Sequence, residues 1–136
     1  MGKLHLEVVT PEKVMVSQEV EIVVASGSMG EFGVLEGHVP FLTGIDPGEL
    51  RYSSGSKTER FFVTTGFAEV SDNKVSVLVD AAEAAAEIDL ERARKALERA
   101  NERLAMDRGK EDLDFLRAEI ALKRAIARIR VSEKKM

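Results

Sequence analysis

The sequence predicts an α+β protein, mainly β: an N-terminal antiparallel β-sandwich followed by a C-terminal antiparallel two-helix hairpin. Three observations carry that expectation. Of the 136 residues, those numbered 1 to 80 hold nine of the ten Gly, all three Pro and 14 of the 15 Val, whereas 81 to 136 hold 13 of the 15 Ala. The first composition suits strands and turns, the second helices. Apolar residues alternate in short runs before residue 80 and recur at helical spacing after it. No helical pattern separates the short runs, which favours a sandwich or barrel over a parallel α/β sheet. The units expected are a sandwich over residues 1–84 and a hairpin over 85–136.

Taken in order, strands are predicted at Leu4–Val9, Val20–Val24, Arg60–Val63, Phe67–Val70 and Val75–Val79, each bounded by turn residues. Ser71-Asp72-Asn73-Lys74 reads as a hairpin turn between the last two. Between the second and third, Gly30-Glu31-Phe32-Gly33-Val34-Leu35-Glu36-Gly37-His38-Val39-Pro40 puts three glycines and a proline into eleven residues. That predicts a tightly turning backbone open to the surface, a structural turn or a docking loop. A phosphate-cradling loop would need a lysine and a following helix. This run instead enters Phe41-Leu42-Thr43 and a further predicted turn at Asp46-Pro47-Gly48.

Beyond Asp80 the period changes. At about 100° per residue, Ala93, Ala96, Leu97, Ala100 and Leu104 fall on one stripe of a first helix, with Glu91, Lys95, Glu98 and Glu102 opposite. Asp89 is its predicted N-cap, and Asp107-Arg108-Gly109-Lys110 is predicted to break it. A second helix starts near Asp112, with Phe115, Leu122, Ile126 and Ile129 along one stripe and Ala118 and Ala125 beside it. Three of the five stripe residues on the first helix are alanines, each burying little beyond a methyl group worth roughly 0.8 kcal/mol. Docking is therefore expected to be weakly held, and composition leaves two readings: a hairpin that opens while its helices persist, or a fixed hairpin covering one face of the sandwich.

Charge separates the halves as well. Residues 1 to 80 carry six basic and twelve acidic groups, net −6, and residues 81 to 136 carry fourteen and twelve, net +2. From Arg117 to Met136 the net charge is +5, a local field suited to an anionic partner. Arg92 and Arg99 lie about 20° apart around the first helix, and Arg124 and Arg128 share a face of the second. All four are expected to border the helix contact. Guanidiniums on one groove suit a polyphosphate, because each planar fork donates paired hydrogen bonds and keeps its charge. The same groups can instead solvate or pair with neighbouring Glu, as at Glu91-Lys95, Arg94-Glu98 and Arg99-Glu102.

Several classes are disfavoured. With no Cys and only His5 and His38, thiol catalysis, disulfides and a metal centre are poor fits. There is no Ser-His pair beside an acid and no evident carboxylate pair, so the chain is not expected to be an enzyme. Net acidity and a single Tyr argue against a nucleic-acid module. No apolar run approaches the roughly 18 residues of a spanning helix, and the start lacks an apolar signal core, so a cytoplasmic chain without membrane insertion is expected.

The Gly30–Pro40 run, the Thr65-Gly66-Phe67-Ala68-Glu69-Val70 segment, and Ile88-Asp89-Leu90-Glu91-Arg92-Ala93 leading into the Ala-rich hairpin together resemble the epsilon subunit of bacterial F-type ATP synthase. The likeness spans essentially the whole chain and departs from the commonest loop pattern at Phe32 and Glu36. It implies a non-catalytic central-stalk subunit on the cytoplasmic face of the bacterial inner membrane, peripheral to it. The implied partners of the sandwich are the gamma subunit and the c-ring, with Glu31 and His38 at the ring contact. The hairpin is implied to extend toward the catalytic beta and alpha subunits and there inhibit ATP hydrolysis. The Ile-Asp-x-x-Arg-Ala stretch further implies ATP as a regulatory ligand, with no metal required. Glu83, Ile88 and Asp89 would face adenosine, and Arg92, Arg99, Arg124 and Arg128 the phosphates. The alternative is a stand-alone protein-interaction or chaperone-like module.

Overall fold

The computed structural model describes residues 3–106 and 112–133. The predicted helix break at Asp107–Lys110 and the tail residues Lys134 and Lys135 lie outside the described residues, and the side chain of Phe115 is likewise outside them. Nine strands come first: β1 (Leu4–Val9), β2 (Val14–Val20), β3 (Ile22–Gly27), β4 (Gly30–Val34), β5 (Phe41–Ser54), β6 (Lys57–Val63), β7 (Gly66–Ser71), β8 (Lys74–Val79) and β9 (Ala82–Ala84). A single 3-10 turn, Ala85–Glu87, leads to helices α1 (Leu90–Met106) and α2 (Asp112–Glu133).

The strands form one sheet in the order β2-β1-β8-β7-β5-β3-β4, with β6 joining β5 and β9. The fourteen-residue β5 makes it a sandwich. Its first part, Phe41–Ile45, pairs with β7, and its second, Gly48–Ser54, pairs with β6, so the sheet folds over on itself at Asp46-Pro47. The turn expected at Asp46-Pro47-Gly48 is thus a corner within a strand. Pro47 has no N–H to give a ladder, and a Cβ on Gly48 would stand 2.7 Å from the Ser26 side chain, so the bend suits these two residues. One core joins the two layers, with Leu4, Leu6, Val8, Ala68, Val75 and Val77 from one and Val23, Ala25, Leu50, Phe61 and Val63 from the other.

Two further expectations need correction. The strand predicted over Val20–Val24 is two strand ends: Val20 closes β2 and Ile22 opens β3. Val20 and Val23 are both buried, which an unbroken alternation forbids; Glu21 carries the chain from one layer to the other, tied by its N–H to the Ser53 carbonyl at 2.8 Å. The run from Gly30 is strand β4 as far as Val34, and only 35–40 is loop. The sheet is antiparallel except where β1 lies parallel to β8. The Asp72-Asn73 turn is as predicted, with both residues left-handed (φ 51° and 59°), a geometry that matches the twist of a two-residue hairpin.

The predicted first-helix stripe is the inward one, with Ala93 and Ala100 buried, and Asp89 caps the helix by accepting the Arg92 N–H at 3.1 Å. On α2 the fully covered residues are Ala118, Ala125, Val131 and Ser132, whereas Leu122, Ile126 and Ile129 are half-buried. The small residues win the seam because they let the two helices approach closely, which pushes the larger side chains to its flanks. α1 packs principally on α2, and it is α2 that rests on β5, β6 and the 3-10 turn.

Candidate functional site

The hairpin sits on the outer face of β5, β6 and β9. Register aligns Glu49, Phe62 and Glu83 side by side across that face. Phe62 breaks the alternation of β6 because it points away from the sandwich core and joins Ala85, Ile88 and Val131 in a second, small apolar cluster flanked by Ala127. Arg128 of α2 reaches over it, its guanidinium 5.8 Å from the Phe62 ring centre. The same guanidinium grips Glu83 with both arms, Nε to Oε1 at 3.0 Å and Nη2 to Oε2 at 3.1 Å. Beside this cluster, Glu49 accepts from Arg51 at 3.0 Å and Arg60 at 3.3 Å.

Between this face and the helices runs a groove of about 530 Å³, lined by Phe62, Thr64 and Glu83 of the sandwich and by Ala96, Ala121, Arg124 and Arg128 of the helices. A second depression, about 460 Å³, adjoins it through the shared Ala96 and Ala121 and adds Arg99 and Arg103. Each lies within the range of roughly 300–1,000 Å³ that small-molecule sites occupy. The structure therefore brings Glu83, Arg124 and Arg128 to one trough and Arg99 to the depression beside it. Arg92 stands exposed on the first turn of α1, the Asp89 carboxylate is engaged as the cap, and the Ile88 side chain is buried in the small cluster. A third groove, about 720 Å³, opens on the other flank of α2, where Glu31 and Asp46 of the sandwich face Lys123, Arg124 and Arg130.

Glu31 and His38 lie at the β4 end of the molecule. Glu31 points outward from the edge strand and meets Arg51 at 3.4 Å. The 35–40 loop is held from below: the Gly37 N–H donates to Asn73 Oδ1 at 2.7 Å, and the His38 N–H to the Leu35 carbonyl at 3.1 Å. Gly37 has φ +83°, so the loop uses its glycine for a left-handed turn. His38 Nδ1 lies 2.7 Å from the Val39 carbonyl, and the His38 ring meets Phe41 edge-on at 5.9 Å, with Phe32 against Phe41 at 5.4 Å.

One surface is not evident from the sequence. Across the layer opposite the hairpin, register places Gly44, Phe67, Leu78, Val9 and Val14 in a single row over five strands. Phe67 is 51% exposed, Leu78 43% and Val14 56%, and Leu42 stands beside them at 68%. Its trace in the sequence is the lapse of alternation at Val8-Val9 and at Val77-Leu78-Val79. The lapse gives no hint that the extra residues align.

A β-sandwich whose one outer face carries a helical hairpin and whose other carries an apolar row matches known proteins along its whole length. Residues 3–85 match the beta-sandwich domain of the ATP synthase Delta/Epsilon chain, and residues 86–133 its long alpha-helix domain. The chain belongs to the ATP synthase delta/epsilon family. It is 55% identical over 128 residues to the ATP synthase epsilon chain of Nitratidesulfovibrio vulgaris (strain DP4), covering 94% of each chain. To that of Syntrophobacter fumaroxidans it is 51% identical over 132 residues, covering 97% of each. Among solved structures it resembles a chain of the Euglena gracilis mitochondrial ATP synthase, an assembly of OSCP, F1 and c-ring, with TM-score 0.83 and 27% identity over 93% of this chain and 79% of that one. It is thus an epsilon subunit of F-type ATP synthase of the bacterial kind. No described helix of this epsilon subunit is long and apolar enough to cross a membrane.

Proposed function

We propose that this epsilon subunit is a non-catalytic rotor component that joins gamma to the c-ring and brakes ATP hydrolysis with its hairpin, ATP in the trough holding that hairpin folded. In this reading gamma takes the apolar outer row around Phe67 and Leu78, since a row of exposed apolar side chains of this extent is what a permanent partner covers. The ring meets the edge that carries Glu31 and His38. The apolar row lies on the layer away from α2's seat on β6, so the hairpin can move while gamma stays bound, whereas Glu31 also borders the groove beside α2.

The observation that carries the regulatory part is the trough itself: three of the seven expected nucleotide residues, Glu83, Arg124 and Arg128, line it, and a fourth, Arg99, lines the depression beside it. A ligand there binds the folded hairpin and not the extended one, so it shifts the equilibrium by its differential affinity. Glu83 and Arg128 already hold each other without ligand, and phosphate oxygens would compete with Glu83 for that guanidinium. The released hairpin carries its basic groups to the alpha and beta subunits. The subunit works at the cytoplasmic face of the membrane, peripheral to it.

Calorimetric ATP titration of the isolated chain tests the ligand, with binding expected for the native chain and lost in Arg124→Ala, which removes a guanidinium lining the trough; equal affinity in the two would remove the site. Truncation after Glu87, which keeps β9 in the sheet, tests the brake. Hydrolysis by the assembled complex is expected to rise, and an unchanged rate would refute the regulatory role. Failure to form a stoichiometric complex with gamma would refute the stalk role itself.

A further inference from the structure

The seam between α1 and α2 is built from small residues at intervals of seven. Ala118, Ala125 and Ser132 fall within about 40° of one another around α2, and Ala93 and Ala100 form the facing line on α1. All five are buried, Ser132 with 1% of its surface exposed. Four of them bring only a methyl group. Ser132 brings a hydroxyl as well, and its oxygen is shielded from water and has no hydrogen-bond partner.

A serine inside a helix usually donates back to the carbonyl four residues before it, or finds an acceptor across the contact. Ser132 does neither. A stranded hydroxyl penalises only the state that buries it, because once the helices part, water satisfies it. Its position is also telling. Neighbouring Val131 packs with Ile88, so Ser132 lies at the end of the hairpin where α1 begins, close to the sandwich. The ion pair nearest that end, Arg94 to Glu133, is 4.0 Å long with both side chains more than half exposed, and such a pair holds little.

We infer that Ser132 is a built-in opener of the hairpin: its unpaired Oγ disfavours the closed α1–α2 seam and keeps separation of the two helices within thermal reach. The inference concerns the closed chain alone and needs neither nucleotide nor partner.

The test is amide hydrogen exchange on the full chain without nucleotide. Ser132→Ala is expected to slow exchange in α1 and α2 about fivefold or more, the lower end of what an orphaned hydroxyl disfavours, with the sandwich strands unchanged. Alanine is also the better helix former, so Ala105→Ser, at an exposed position one residue from the end of α1 as Ser132 is from the end of α2, supplies the propensity contribution alone. The Ser132→Ala effect must exceed it in size. Ala125→Ser, one interval earlier in the seam, is expected to speed exchange in both helices. If Ser132→Ala matches the propensity control, leaves exchange unchanged or speeds it, the hydroxyl is satisfied in solution and the inference is wrong.

Discussion

Replacing Arg128 with Ala removes the main polar tie between hairpin and sandwich. Its guanidinium makes two charge-assisted hydrogen bonds to Glu83 and lies over Phe62. A hydrogen bond to a charged group is worth about 1.5–3 kcal/mol, but these side chains keep 24% and 31% of their surface in water, so the pair is discounted to about 2 kcal/mol. That corresponds to roughly a thirtyfold shift from docked toward released hairpin. The apolar cluster at that contact, Phe62, Ala85, Ile88 and Val131, is worth about 1.5–3 kcal/mol for each of its larger members, so the pair is a substantial addition to it. The assay is a nucleotide-free distance measurement between labels at Ser54→Cys and Arg117→Cys, both exposed, in a chain with no other Cys. The labels should move apart in Arg128→Ala, while the sandwich keeps its melting temperature. Because the truncation also strands Glu83, the double variant Glu83→Gln with Arg128→Met should recover part of the loss. Unchanged distances in Arg128→Ala would refute the claim that this pair latches the hairpin.

Other outcomes follow from single positions. Gly66→Ala drives a Cβ into the Leu78 carbonyl oxygen and to 2.7 Å from the Val79 Cα, both backbone, and is expected to lower sandwich stability by about 3 kcal/mol in urea unfolding. Phe67→Glu with Leu78→Lys should leave unfolding within about 0.5 kcal/mol of native and yet abolish co-purification with gamma; retained binding would move the gamma contact elsewhere. The phenol of Tyr52, the only tyrosine, is pushed above the usual value by burial and secondarily by Glu59. The unfolded phenol then loses its proton first, so the contribution of Tyr52 to stability is whole below pH of about 10 and falls as pH rises through the folded value. Tyr52→Phe should flatten that alkaline fall in thermal unfolding followed against pH.

How much of this was legible beforehand depends on the range of the interactions. Helix α1, its Asp89 cap and the Asp72-Asn73 turn rest on contacts within a few residues, and the pattern of types along the chain shows them. The β5 corner was missed because Asp-Pro-Gly signals a turn locally, whereas the strand continues there by changing partners, β7 before and β6 after. Of the expected nucleotide residues, Arg99, Arg124 and Arg128 could be placed beside the helix contact by angle alone. That Glu83 meets Arg128 across 45 residues could not, since it depends on α2 lying over β6.

The sequence by itself determined the two-part division, the small residues of the helix contact, and the family, because composition, period and local motifs are properties of the chain read in order. Only the tertiary structure decided which faces are covered. Register aligned Phe67, Leu78, Val9 and Val14 into one outer row, and close approach of two helices shut the Ser132 hydroxyl away from water. Both are consequences of distant segments being brought within a few ångströms, and no one-dimensional pattern encodes which partner a face will meet.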